Sequence, residues 1–383
     1  MSKEGIPYFT PGEYQRRYEA VRALMDQEGA DALLVFGHSG NRQHYQAHVH
    51  YLAHAAPRHE CYLIFPKRGE PVLFTTHYNH LASAKEVSVI PDVRRSGRDA
   101  AGAVAAELKK RGFASIGVVG DVFYQAMDAL RRDLPSVRWK DLTAPCRLLR
   151  SRKSDEEIAF QRKAALGVDA AMDALIRELR PGASERDLLV ATEKAAWDAG
   201  CEPVFLYLNS TPMAASESCV PNQNVSRRKI RMGDVLNTEL TVGYGMYTAQ
   251  ILRPFFLGEP TPAYARLYEV AKAVHDRVAG VLKAGATAQE VHDATGLIAE
   301  SGFTIVDGLI HGFGVDILPP SIRCTLFTPP APFTFEKNMT VVVQPNPTTK
   351  DEKMGVQLGE LGLITEGGFE PMHRLPAEVV RVG

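Results

Sequence analysis

Residues 233–256 read GDVLNTELTVGYGMYTAQILRPFF. The opening part, RMGDVLNTEL (231–240), reads as a turn followed by a strand. The same pattern returns as KNMTVVVQP (337–345). Each copy is preceded by a similar helix: LRPGASERDLLVATEKAAWDAG (179–200) and LKAGATAQEVHDATGLIAESG (282–302). Both helices have a turn glycine (Gly182, Gly285), a capping hydroxyl (Ser184, Thr287) with an acid three residues on, and a terminal glycine. This weak internal repeat sets Glu239 opposite Gln344. Two such halves pack about a pseudo-twofold axis, so equivalent strand positions meet in a cleft between them. The competing reading is two amphipathic helices that share common turn residues by coincidence.

Outward from this stretch, the N-terminal part alternates helix and strand. YQRRYEAVRALMDQEGA (14–30) is an amphipathic helix stopped at Gly29, and ADALLVFG (30–37) is a buried strand. CYLIFPKRGEPVLFTT (61–76) reads as two strands joined at Lys67-Arg68-Gly69, and ASIGVVG (114–120) follows the helix AAGAVAAELKKRGF (100–113). The pattern predicts an α/β domain over residues 1–150 and a second domain over 151–383. The basic segment Arg147–Lys153 is the expected linker. Ser154-Asp155-Glu156-Glu157 is a capping box that starts the second domain.

A chain of 383 residues, 45% hydrophobic and 23% charged with net charge −1, is long enough for two cores. That balance gives no basic surface for nucleic acid or acidic membranes. No apolar run is long enough to span a bilayer. The N-terminal stretch lacks an apolar signal core, and the five cysteines are scattered without a CxxC pair. The expectation is a reduced, cytoplasmic protein.

Three strings resemble one enzyme family. They are the quoted 233–256 stretch, HGFGVDI (311–317), and VVVQPNP (341–347) followed by GVQLGELGLITEGG (355–368). Their order and spacing are similar to the pita-bread metallopeptidases: methionine aminopeptidase, aminopeptidase P and prolidase. The N-terminal domain agrees with the larger members, including creatinase. The resemblance implies a mixed-sheet N-terminal α/β domain followed by a pita-bread domain. It also implies a homodimer in which an N-terminal loop reaches the neighbour's pocket. The family holds two metal ions with two Asp, one His and two Glu. The matching places here are Glu239, Gln250, His311, Gln344 and Gly359. Two neutral amides and a glycine cannot neutralise two divalent cations. The expectation is therefore no metal and no cofactor. A lone ion on Glu239, His311 and Glu360 is the alternative. Creatinase works without metal, but its histidine position is Asn222 here and its later glutamate is Gln344.

His311 is the candidate acid/base, because imidazole titrates nearest neutral pH. Its alternative is a hydrogen-bonded core histidine. Glu239 would orient His311 or activate water; otherwise it is a strand glutamate paired with an arginine. Gln250, Gln344 and Asn222 would cage a polar substrate, or pack a dead site. Arg58 and Arg323 would hold a substrate carboxylate, or form surface ion pairs. The run HSGNRQHYQAHVHYLAHAAPRHE (38–60) reads as a polar loop plus strand with exposed histidines, with a metal-binding tract as the other reading. The expected activity is metal-independent hydrolysis or lysis of a C–N bond in a small, carboxylated molecule. The rivals are an inactive binding protein and a single-metal aminopeptidase-like enzyme.

Overall fold

The computed structural model describes residues 5–38, 44–54, 59–323 and 329–382. The chain forms two compact units, divided between Arg150 and Ser151.

The first unit begins with α1 (Pro11–Glu28), capped by Thr10 and stopped by Gly29 in the left-handed conformation. Then come β1 (Ala32–Gly37), α2 (Ala47–Ala53), β2 (Cys61–Pro66), β3 (Val72–Thr75), α3 (Leu81–Val87) and β4 (Val93–Arg95). The unit closes with α4 (Ala100–Arg111), β5 (Ser115–Val119), α5 (Tyr124–Asp133), β6 (Arg138–Asp141) and α6 (Thr143–Ser151). The sheet order is β4-β3-β2-β1-β5-β6. It is mixed, as expected: β2 pairs antiparallel with β1 and β3, and the other pairs are parallel. Strands β1, β2 and β3 are buried on both faces, which explains their unbroken apolar runs.

Two expectations for this unit are corrected. Helix α6 runs through the expected linker as far as Ser151, because Cys146 packs into the core. The histidine-rich run forms α2 rather than a strand. His50 and His54 are buried, and His54 Nδ1 lies 2.9 Å from the Tyr14 hydroxyl. Burial pushes the His54 imidazole down to about 4.

The second unit begins with α7 (Asp155–Glu178), opened by the Ser154/Glu157 capping box. It continues through α8 (Glu185–Asp198), β7 (Glu202–Pro212), β8 (Asp234–Tyr244), β9 (Tyr247–Leu257), α9 (Pro262–Val281), α10 (Ala288–Ala294) and α11 (Leu297–Glu300). The remaining strands are β10 (Ile310–Phe313), β11 (Ile317–Ile322), β12 (Thr340–Val343), β13 (Gly359–Ile364), β14 (Phe369–Pro371) and β15 (Val380–Val382). The main path of its sheet is β11-β10-β12-β13-β9-β8-β7. Helices α7 and α8 bury Val168, Met172, Leu175 and Leu188 against Leu236, Leu240 and Ile251 of the central hairpin. Each such side chain contributes about 1.5–3 kcal/mol by leaving water.

The repeat is visible in the hydrogen bonds. Gly182 N donates to Ile230 O, and Gly285 N donates to Phe335 O. Ile230 N returns a bond to Ala183 O, as Phe335 N does to Ala286 O. Both glycines have φ near +90° (90° and 91°), a region that favours residues without Cβ. Capping boxes at Ser184/Asp187 and Thr287/Glu290 open the two helices. The second helix breaks at Thr295-Gly296 into α10 and α11, where the first continues unbroken.

Candidate active site

The β8–β9 hairpin carries Glu239 and Gln250. Its register pairs Glu239 with Leu252 and Thr241 with Gln250, so the two polar side chains are diagonal neighbours on one face. Gln250 Nε2 donates to Glu239 Oε1 over 2.8 Å. Glu239 keeps limited access to water but lies deep among protein atoms. Burial, reinforced by the charge of Asp307 and opposed by the Gln250 bond, pushes its carboxyl up to about 8. The protonated carboxyl of Glu239 is therefore favoured near neutral pH.

His311 lies on β10 at a bulge in the β10–β11 pairing, and such bulges re-aim side chains. Its Nδ1 is 3.1 Å from Gly312 O. A carbonyl only accepts, so the proton sits on Nδ1 and Nε2 carries the lone pair. Burial lowers the imidazole's proton affinity, against the Gly312 bond, the Asp307 charge and the Gln344 amide. The neutral imidazole is thus favoured.

Asp307 was not anticipated from the sequence. It sits in the turn before β10, and its charge acts on both Glu239 and His311. Gln344, just past the end of β12, donates from Nε2 to Asp307 Oδ2 at 3.2 Å and to Gly308 O at 3.0 Å. Asn346, fully buried, clamps the same turn: its Oδ1 accepts from Val306 N and Asp307 N, and its Nδ2 donates to Gln344 O. The Oε1 atoms of Gln250 and Gln344 are buried acceptors without a hydrogen-bond partner. Such groups carry a desolvation cost that a ligand N–H would relieve.

Two expected site residues, Glu360 and Asn222, are engaged elsewhere. Glu360 is corrected: strand alternation sends its side chain away from the face of position 359. It forms a buried ion pair with Arg253, Nη2 to Oε2 at 2.6 Å. Arg253 further donates to Gly359 O, Leu252 O, Leu375 O and Pro376 O, tying β9 and β13 to the C-terminal segment. Asn222 is also corrected: it is exposed, and its Oδ1 accepts from Asn224 N in a tight turn. Arg323 is exposed beyond the end of β11. Arg58 lies outside the described residues. Burial raises the Cys219 thiol, which argues against a nucleophilic role for it.

Residues 159–366 match the profile of metallopeptidase family M24, and residues 17–152 match the creatinase/prolidase N-terminal domain. The chain belongs to metallopeptidase family M24. C–N bond hydrolysis is therefore its reaction class. It is 26% identical over 371 residues to an Xaa-Pro dipeptidase of Pyrococcus horikoshii, covering 95% of this chain and 98% of that protein. It is 24% identical over 407 residues to the ectoine hydrolase of Halomonas elongata, covering 99% of each. The fold matches the Thermococcus sibiricus prolidase with TM-score 0.84, 19% identity, and 98% and 100% coverage of the two chains. It matches a Thermotoga maritima X-Pro aminopeptidase with TM-score 0.82, 20% identity, and 95% and 99% coverage.

Family M24 implies a metal pair, and the residues present do not fit one. Three of the five ligand positions hold no acid or imidazole (Gln250, Gln344 and Gly359). At Gly359 a Cβ would stand 2.0 Å from Val343 O and 2.7 Å from Gln344 Cα, so the backbone has closed over the place of the fifth ligand. Among the described residues, no three His, Cys, Asp or Glu side chains converge as a metal site would require.

Proposed function

We propose that this protein hydrolyses a C–N bond of a small, polar, carboxylate-bearing molecule without a metal ion. The observation that carries the reading is that one charge, Asp307, acts both on Glu239, whose carboxyl is pushed up to about 8, and on His311, whose proton affinity is lowered, with two orphaned amide oxygens on Gln250 and Gln344. A general acid and a general base are present together near neutral pH, a condition that proton-transfer catalysis needs and Lewis-acid catalysis does not.

In this mechanism His311 Nε2 takes a proton from water as the water oxygen bonds to the scissile carbon. Glu239 gives its proton to the nitrogen as the C–N bond breaks. The imidazolium then returns its proton to Glu239, which restores both groups. Gln250 holds the Glu239 carboxyl, and the Oε1 atoms of Gln250 and Gln344 accept from substrate N–H groups. Asp307 stabilises the transient imidazolium. Arg323 supplies positive charge for the substrate carboxylate, and Arg58 does so from a neighbouring subunit of a homodimer. The similarity to an ectoine hydrolase supports a small, non-peptide substrate.

The test is turnover of amides, guanidines and N-substituted amino acids by chelator-treated protein. Activity that survives the chelator and falls about 10²-fold or more in His311→Ala supports the reading. Activity lost to chelator and restored by a divalent ion would replace it with metal-dependent dipeptidase chemistry, which the Xaa-Pro dipeptidase relative favours. No turnover across the panel would leave a binding protein.

A further inference from the structure

A second concentration of chemistry lies in the first unit, remote in sequence from the residues above. A cleft of about 740 Å³ opens there, lined by His59 and Glu60 leading into β2, by Arg95 at the end of β4 and by Arg98 just beyond it. His77 closes it from the loop after β3. The His59 ring centroid is 4.1 Å from that of His77 and 4.7 Å from that of His80, and His77 and His80 are 6.0 Å apart. Three imidazoles from two distant sequence segments therefore touch.

The charges around this cluster are unbalanced. Neither Arg95 nor Arg98 is ion-paired among the described residues; Arg95 lies over the Tyr78 ring, 5.5 Å from its centroid. The neighbouring Arg94, by contrast, is held by Asp92 and Glu107. Glu60 is the carboxylate in the cleft lining, and it accepts a hydrogen bond from the Tyr62 hydroxyl. Elsewhere in the lining, His38 stacks on Tyr45 at 4.3 Å and meets Phe123 at 5.0 Å, with Asp121 acting on it electrostatically. Two free guanidiniums beside three clustered imidazoles make an oxyanion the complementary ligand. A metal is not the fit: no described group of three His, Cys, Asp or Glu side chains converges for one.

We propose that this cleft is a binding site for a small oxyanion, a carboxylate- or phosphate-bearing molecule, recognised by Arg95, Arg98 and the His59–His77–His80 cluster. The site is independent of the C–N hydrolase reading. Binding is coupled to proton uptake. Partial burial and repulsion from the His77 and His80 imidazoles disfavour charge on His59, and a bound anion offsets that repulsion. Affinity therefore rises as pH falls.

The experiment is calorimetric titration of the full-length protein with inorganic phosphate and, separately, with succinate, at about pH 6 and about pH 8. We expect saturable binding of at least one probe, at least about tenfold tighter at the lower pH, and weakened at least about tenfold in Arg95→Gln and Arg98→Gln. The preferred probe identifies the headgroup. Both arginines are exposed, and an unchanged thermal midpoint verifies that the variants fold. His77→Asn should flatten the pH dependence while retaining binding. Absence of saturable binding at both pH values overturns the proposal. So does binding that the arginine substitutions leave unchanged, or binding that requires added zinc.

Discussion

Replacing Gly359 by alanine should destabilise the second unit although it adds one methyl group. The new Cβ would stand 2.0 Å from Val343 O, 2.7 Å from Gln344 Cα and 2.9 Å from Val343 C, and real Cβ atoms essentially never approach closer than 3.0 Å. All three neighbours are backbone, so no rotamer change relieves the overlap. Strand β13 must move about 1 Å from the end of β12, against the β12–β13 ladder on one side and the Gly359–Leu252 pairing on the other. Overpacking of this kind costs about 1–3 kcal/mol, and more where the backbone is held on both sides. Urea unfolding followed by circular dichroism measures it, with wild type and Gly362→Ala as references; Gly362 meets the movable end of the Phe369 ring at 2.2 Å as well as Glu370 O at 2.9 Å. Gly359→Ala should lose at least about 2 kcal/mol and several degrees of thermal midpoint. Gly359→Glu should lose more and gain no metal affinity. An alanine variant within about 0.5 kcal/mol of wild type would refute the claim that the ligand position has been sealed.

Purified protein should hold well below one equivalent of zinc, manganese, iron or cobalt by elemental analysis, because Gln250, Gln344 and Gly359 stand where acids are needed. Turnover should decline above about pH 8 as Glu239 ionises, and Glu239→Gln should abolish most of it; a pH profile of kcat checks both. Stability follows the same group: its raised folded pKa contributes fully below about 4.5 and is lost progressively up to about 8. Glu239→Gln should therefore gain relative to wild type over that window in denaturant titrations. Arg253→Met should cost about 3–5 kcal/mol in equilibrium unfolding, since it leaves Glu360 buried and unpaired. Light scattering should show a dimer at micromolar concentration, and a stable monomer would remove Arg58 from the site.

The sequence carried the architecture because the architecture rests on local, periodic signals. The two capping boxes, the turn glycines and the paired turn–strand segments are short-range patterns, and each has its counterpart in the hydrogen bonds. Glu239 and Gln250 were placed together by the family resemblance, and the β8–β9 register sets them side by side. Asp307 was not legible, because an irregular turn has no period, and its placement depends on Gln344 and Asn346 from the segment after β12. Glu360 was misplaced by a single residue, and in a strand that sends the side chain to the opposite face. Asn222 failed for a related reason, since a loop position carries no register. The histidine contacts in the first unit join segments about twenty residues apart, beyond any local pattern.

Each half of the second unit fastens its own helix entry, through the Gly182–Ile230 and Gly285–Phe335 pairs of amide bonds. The two halves meet in sequence at the short connection between β9 and α9, where Glu259 is exposed. A chain opened there would leave both fastenings intact within their own fragments. The cut would interrupt continuity without removing either local anchor, while the β9–β13 and β9–β15 ladders remain to rejoin the pieces. The duplicated pattern thus makes the domain a candidate for fragment complementation, with the division falling where its two halves are joined.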